Sequence, residues 1–253
     1  MNRYILGQNF LKDKKILQKI ANLAILNIPI IEIGPGKGAL TKYLSKKAKV
    51  LAIEKDKRFK PYLKIKNAKI VFADILEVLE KYIPVGEYQI FGNLPYRIEK
   101  PIIQKVIKLK NPPKKAVFLI QKEVALPFKM YKKSLFSLAV EFFAKCNYLF
   151  SVSKKSFYPV PKVNGAIIEI KDFNFDLPNN LKREKIEKEF FNFIKISFKY
   201  PRKKLINNLS KSGIKKTTLK KIFKSLKIKE ETRPEELNIE KWLNLYYLLR
   251  KYK

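Results

Sequence analysis

The chain predicts an α/β fold, a parallel sheet covered by helices on both faces, followed by a small all-helical domain. Three observations predict it. Between residues 12 and 121, short β-branched apolar runs alternate with segments of helical periodicity, the pattern of strands joined by right-handed helical crossovers. A glycine-rich turn, Gly34-Pro35-Gly36-Lys37-Gly38, ends the first of these strands, at the sheet edge where such folds bind ligands. Beyond residue 180 the apolar residues recur at helical spacing.

Taken in order, DKKILQKIANLAIL is a helix with Asp13 as its N-cap, and Pro29–Ile33 is a short strand halted by glycine. ALTKYLSKKA reads as helix, KVLAIE as strand, KRFKPYLKI as a poor helix and AKIVFAD as strand. ILEVLEKY is helix, EYQIFG strand, PIIQKVIKL helix and KAVFLIQ strand. After Gln121, SLAVEFFAKCNYLFSVS and VNGAIIEIK read as longer strands separated by the Pro-rich SFYPVPK, an antiparallel pair that closes the sheet. DFNFDLPNN, residues 172–180, is the candidate linker, and four helical segments follow it. A chain of 253 residues accommodates a main domain with a smaller companion. The expected division is residues 1–172 and 173–253.

Charge narrows the partners. Against 56 Lys and Arg stand 22 Asp and Glu, a formal net of +34, which favours a polyanion such as nucleic acid and makes that binding salt-dependent. The chain has no His and one Cys, Cys146. That excludes Ser-His-Asp and Cys-His nucleophile systems, the usual zinc sites and a disulfide framework. No metal is expected. The N-terminus MNRYILGQNF lacks the apolar region of a signal peptide, and no run approaches ~18 apolar residues. A cytoplasmic protein is therefore expected; a monomer is expected as well.

Glycines at 34 and 36 let backbone approach a ligand closely. Glu54 lies 20 residues after Gly34 at the end of the second strand, where a carboxylate accepts hydrogen bonds from both ribose hydroxyls. The loop is not the G-x-G-x-x-G of pyrophosphate sites, so this is a Rossmann-like nucleoside site of another kind. Glu32, just before the glycines, would repel a diphosphate and suits a cationic or zwitterionic ligand. S-adenosylmethionine meets these terms as a nucleoside with a sulfonium and an amino-acid end. Asp74, ending the third strand, is placed to accept from the adenine amino group or to cap the next helix.

The fourth strand ends in FGNLPYRIEK. Asn93-Leu94-Pro95-Tyr96 suits methylation of an exocyclic aromatic amine, whose lone pair is delocalised into the ring. The Asn93 side-chain oxygen and the Leu94 carbonyl can grip the two amine hydrogens and aim that lone pair at a methyl donor. Pro95 holds the turn and keeps Leu94 extended, and Tyr96 offers a ring on which a base can stack. No general base is needed before transfer, since the cationic product sheds its proton readily. Arg97 has two readings, a contact to a phosphate beside the target base or a part of the basic surface.

These motifs resemble the ribosomal RNA adenine N6,N6-dimethyltransferases of the KsgA type, a family of class I S-adenosylmethionine-dependent methyltransferases. Gly7-Gln8-Asn9-Phe10-Leu11, Glu32-Ile33-Gly34-Pro35-Gly36 and Gly92-Asn93-Leu94-Pro95-Tyr96 carry the resemblance, with Gln121-Lys122-Glu123-Val124-Ala125, Phe157-Tyr158-Pro159-Val160-Pro161-Lys162-Val163 and Arg233-Pro234-Glu235-Glu236-Leu237. It implies cofactor contacts at Asn9, Leu11, Gly34, Glu54, Asp74 and Asn93, with Phe157 joining Tyr96 around the target base. It also implies the substrate: two adjacent adenines near the 3′ end of small-subunit (16S) rRNA in the immature 30S subunit, each methylated twice. The C-terminal helices would grip RNA. Two alternatives stand beside this reading, a large-subunit (23S) rRNA adenine dimethyltransferase conferring antibiotic resistance and a non-catalytic assembly factor on the same fold.

Overall fold

A computed structural model describes residues 9–173 and 183–251. Positions 174–180 of the candidate linker, and Gly7-Gln8 of the first motif, lie outside the described residues. Nine strands are described: β1 (Phe10–Leu11), β2 (Ile30–Ile33), β3 (Val50–Glu54), β4 (Ala68–Phe72), β5 (Gln89–Asn93), β6 (Lys115–Gln121), β7 (Lys145–Val152), β8 (Phe157–Tyr158) and β9 (Gly165–Lys171). Seven form one sheet in the order β4-β3-β2-β5-β6-β9-β7. The five from β4 to β6 are parallel, and β9 runs antiparallel between β6 and β7. β1 and β8 pair antiparallel as a separate two-stranded ladder, with Leu11 opposite Phe157.

The helices of the sheet region are α1 (Lys14–Ala21), α2 (Thr41–Leu44), α3 (Ile75–Val78), α4 (Glu99–Ile107) and α5 (Lys122–Lys129). Asp13 caps α1 as expected, its Oδ1 accepting from the Lys15 and Ile16 N–H groups at 3.0 and 3.2 Å. Burial explains why the central strands lack alternation: all four residues of β2 are buried, as expected of a parallel strand covered on both faces. The KRFKPYLKI segment is a 3₁₀ turn over Lys57–Tyr62 with Pro61 inside it. ALTKYLSKKA is helical only over Thr41–Leu44.

One expectation is corrected. SLAVEFFAK, read as the start of a long strand, forms helix α6 (Leu135–Phe143), and only Lys145–Val152 is extended. Phe136, Ser137, Leu138, Val140, Phe142 and Phe143 are all buried, which erases the polar stripe that would betray a 3.6 period. The deciding signal is local. Ser134 Oγ accepts from the Ser137 N–H at 3.0 Å while Ser137 Oγ accepts from the Ser134 N–H at 2.9 Å, a reciprocal cap at a helix start. The antiparallel closing pair therefore consists of β7 and β9, with β9 inserted inside β7.

The chain forms two compact units. One comprises the residues up to Leu126 with Phe143–Phe173; the other comprises Pro127–Phe142 with the residues from Asn174 onward. Pro127–Phe142, which the sequence suggests belongs with the sheet, groups with the helices α7 (Arg183–Ser197), α8 (Leu205–Ser210), α9 (Lys216–Ser225) and α10 (Ile239–Arg250). An aromatic cluster holds this second unit: Phe142 stacks on Phe190 at 4.8 Å, and Phe193 meets the buried Trp242 edge-on at 5.6 Å. Asn208, 2% exposed, donates from Nδ2 to the Ser197 and Tyr200 carbonyls at 2.6 and 3.0 Å. It thereby fixes the basic turn between α7 and α8. No described helix is long and apolar enough to cross a membrane.

Candidate active site

Strand order reverses at β2, which pairs β3 on one side and β5 on the other. A crevice opens at the carboxyl ends of strands at such a point. The loop after β2 enters it with Gly34 and Gly36 at φ of +67° and +54°, conformations that favour glycine. A Cβ on Gly36 would lie 2.9 Å from Phe10 Cε1, so the loop also admits β1 only because it lacks side chains there. The Gly36 N–H donates to Glu54 Oε2 at 2.9 Å and the Asp56 N–H to Glu54 Oε1 at 2.8 Å. One carboxylate thus fixes two loops and keeps a second acceptor site on each oxygen for a ligand hydroxyl. Burial raises the Glu54 pKa, opposed by the backbone donors of Asp56 and Gly36.

Nine of the ten sequence-predicted site residues converge on one cavity of about 100 Å³: Asn9, Leu11, Gly34, Glu54, Asn93, Leu94, Pro95, Tyr96 and Phe157 line it. The tenth, Asp74, lines an adjoining cavity of about 340 Å³ that shares Gly34, Glu54 and Pro95. Ile53, Ile75, Ile98 and Ile102 make the larger cavity apolar. That is a fitting wall for a flat heterocycle, with Asp74 as the polar group that orients it.

Local bonding orients the catalytic stretch. Asn93 donates from Nδ2 to the Asn9 carbonyl at 3.2 Å, which turns its Oδ1 away as an acceptor. The Leu94 N–H donates to the Leu119 carbonyl at 3.0 Å, and the Ile98 N–H to the Pro95 carbonyl at 2.9 Å. The turn is therefore pinned at both ends, while the Leu94 carbonyl accepts from no described residue. Tyr96 has a buried hydroxyl without a partner among the described residues, and burial pushes its pKa up to about 12, with the charges of Glu99 and Glu123 adding to the rise. Glu99, 1% exposed, accepts the Gln121 N–H at 2.9 Å, tying α4 to the end of β6. Burial brings its pKa to about 7. Phe157 is fully buried in the core that supports the cavity.

Two electrostatic features extend the sequence reading, which already gives Asp74 a capping role and sets Glu32 toward a cationic ligand. Asp74 caps α3 by accepting the Leu76 N–H at 2.9 Å, and its other oxygen binds Lys55 Nζ at 2.7 Å. The Lys55 hydrogen bond holds the Asp74 pKa low, so an amine entering that cavity meets an acceptor shared with an ammonium group. Glu32 lines the smaller cavity, its buried Oε2 without a hydrogen-bond partner among the described residues. Burial lifts its pKa to about 8, with the Thr41 hydroxyl opposing and the Glu54 charge adding. A cationic group entering beside Gly34 would draw the proton off this buried carboxyl and pair with the carboxylate so formed. Arg97 is exposed at the rim of the Asp74 cavity, a position that its place after Tyr96 did not foretell.

Sheet order, glycine loop, ribose-type carboxylate and Asn-Leu-Pro-Tyr turn together define a class I methyltransferase. Solved structures share the fold. The 23S rRNA methyltransferase ErmE superposes with a TM-score of 0.77 at 23% identity, over 95% of this chain and 99% of its own. A dimethyladenosine transferase from Plasmodium falciparum gives 0.73 at 25% identity, over 96% and 98%. Among curated relatives, the ribosomal RNA small subunit methyltransferase A of Mycoplasma capricolum subsp. capricolum is 38% identical over 96% of both chains. Its namesake from Fusobacterium nucleatum subsp. nucleatum is 37% identical over 94% of both. The family model described as ribosomal RNA adenine dimethylase matches residues 1–251. The chain belongs to the ribosomal RNA adenine dimethylase family.

Proposed function

We propose that this protein transfers methyl groups from S-adenosylmethionine to N6 of two adjacent adenines near the 3′ end of small-subunit rRNA, giving N6,N6-dimethyladenosines as the subunit matures. The observation that carries the reading is the Asn93 amide, donated to the Asn9 carbonyl at 3.2 Å so that Oδ1 is left to accept beside the Leu94 carbonyl, which has no donor among the described residues. The curated relatives named above, both small-subunit enzymes, favour it over the large-subunit alternative. The likeness to ErmE bears on the fold alone.

When bound, S-adenosylmethionine supplies an electrophilic methyl group on a sulfonium. The residues present fit it: Glu54 toward the ribose, the Asp74 cavity toward the adenine, and the partnerless Glu32 Oε2 toward the cationic end. Asn93 Oδ1 and the Leu94 carbonyl grip the two hydrogens of the target amine, favour a pyramidal nitrogen and aim its lone pair. Tyr96 stacks on the flipped base, and Phe157 backs it. Orientation and fixed dipoles supply most of the rate, and the methylated amine releases its proton to solvent without a dedicated base. In this reading residues 1–172 perform the transfer, residues 173–253 bind RNA in the immature 30S subunit, and the protein works as a monomer in the cytoplasm.

Mass spectrometry of rRNA after incubating unmethylated small and large subunits, in parallel reactions, with protein and cofactor tests reaction, substrate and product together. Dimethylation of two adjacent adenines is expected. Methylation of large-subunit RNA alone, or none, would overturn the proposal.

A further inference from the structure

Beside the catalytic cavity the register of three strands builds a second site. Gln121, Gly165 and Val152 lie abreast on β6, β9 and β7, so the residues just past that line are forced together at the carboxyl edge of the sheet. They are Lys122, Asn164 and the turn Lys154–Ser156. Asn164 ties them: its carbonyl accepts the Lys122 N–H at 2.9 Å and its Oδ1 accepts the Lys154 N–H at 2.9 Å. Lys162 closes the fourth side, leaving a cavity of about 230 Å³ lined by the three lysines, Asn164 and Glu123.

The opposite ends of the same strands show what is unusual. There Lys115, Lys171 and Lys145 also lie abreast, and each is neutralised, Lys115 and Lys171 by Glu169 at 2.9 and 3.3 Å and Lys145 by Asp172 at 3.1 Å. At the carboxyl edge, none of Lys122, Lys154 and Lys162 has an ion-pair partner among the described residues. The single lining carboxylate, Glu123, leaves a surplus of positive charge. Three like charges held around one concavity repel one another until an anion enters.

The site adjoins the place of reaction. Leu119, on β6 three residues before Lys122, and Phe157, which follows the Lys154–Ser156 turn, both line the catalytic cavity. Glu123 is near enough to Tyr96 for its charge to act on the phenol. We propose that Lys122, Lys154 and Lys162 form a phosphodiester subsite that holds the RNA backbone beside the target adenine. The proposal rests on the RNA substrate proposed above. Holding that phosphate fixes the sugar next to the reacting base, so the base enters between Asn93 and Tyr96 with its amine already directed.

The test uses the full chain and an RNA hairpin carrying the two adjacent adenosines. Binding is measured over a range of salt for wild type, for Lys122→Gln/Lys154→Gln/Lys162→Gln, and for Lys69→Gln on the far edge strand β4. For single-stranded RNA the salt slope should fall by about 0.7 per lysine lost from the pocket and stay unchanged in Lys69→Gln. S-adenosylhomocysteine affinity, read by calorimetry, should be the same in all three. A second arm leaves the protein intact and replaces the phosphate flanking the target adenosine with a neutral methylphosphonate. Wild type should lose roughly tenfold in affinity, as expected for one charge-assisted contact, and the triple variant should lose nothing further. An unchanged slope in the triple variant, an equal drop in Lys69→Gln, or additive losses with the methylphosphonate overturns the subsite. In each of these cases wild-type methylation of the hairpin would leave the proposed function standing. Inorganic phosphate is the third arm. Binding of it that the triple variant abolishes, with the RNA slope unmoved, assigns the pocket to a free anion and refutes the proposal. A wild type that neither binds nor methylates the RNA removes both readings.

Discussion

Replacing Asn93 with alanine separates aiming from binding. Two interactions disappear. The first is the Nδ2 hydrogen bond to the Asn9 carbonyl at 3.2 Å, a partly buried contact worth about 1 kcal/mol of stability. The second is the Oδ1 acceptor, which in the proposed mechanism matters only once the amine is being pyramidalised. Deleting one preorganised group that acts in the transition state costs about 3 kcal/mol, which at 1.36 kcal/mol per decade is a fall in kcat of about a hundredfold. The cofactor contacts proposed at Glu54 and in the Asp74 cavity remain, so affinity for S-adenosylhomocysteine should change by less than about tenfold, and RNA affinity should hold. Single-turnover transfer of a labelled methyl group to unmethylated small subunits measures the first quantity, and calorimetry the second. A kcat within a few-fold of wild type would refute the aiming role. A fall in cofactor affinity as large as the fall in rate would recast Asn93 as a cofactor holder.

Further outcomes follow from the same geometry. Glu54→Gln puts an amide NH₂ against either the Gly36 or the Asp56 N–H and should weaken S-adenosylhomocysteine binding by about ten- to a hundredfold; unchanged calorimetric affinity removes the ribose role. Burial holds the Glu32 pKa at about 8 in the folded protein, above its ordinary value of 4.5, so between these pH values the folded state binds more protons than the unfolded state. Ligand-free stability should therefore fall as pH rises from about 5 to about 8, and Glu32→Gln should flatten that slope in thermal unfolding; an equally steep variant would show that Glu32 is ionised throughout. In the helical unit Lys204 is paired with Glu231 at 2.9 Å, whereas the exposed Lys203 has no such partner among the described residues. Lys203→Glu should thus weaken RNA binding and flatten its salt dependence more than Lys204→Glu, and equal effects in filter binding would count against a contact at this turn.

Much of this was written in short-range signals. Asp13 announces α1, the run Ile30–Ile33 announces a strand covered on both faces, and Asn93-Leu94-Pro95-Tyr96 marks the turn that leaves β5 at the cavity. What escaped depends on neighbours distant in sequence. The stretch from Leu135 to Phe143 hid its helix because it is buried nearly all round. The pairing of Lys55 with Asp74 arises only because β3 and β4 run parallel and end side by side. Lys122, Lys154 and Lys162 are unremarkable in a chain with 56 basic residues. They become a site only through the register of β6, β9 and β7.

The small ladder between β1 and β8 sets a condition on when the protein can work. Its pairing of Leu11 with Phe157 places the stretch that carries the Asn9 carbonyl against a segment made almost 150 residues later, and that carbonyl is what turns the Asn93 amide. If Asn93 aims the target amine as proposed, a nascent chain without residues 157 and 158 lacks the strand that seats the Asn9 carbonyl, and its amide stays unaimed. On that reading, reactivity toward RNA waits for residues made after the five parallel strands.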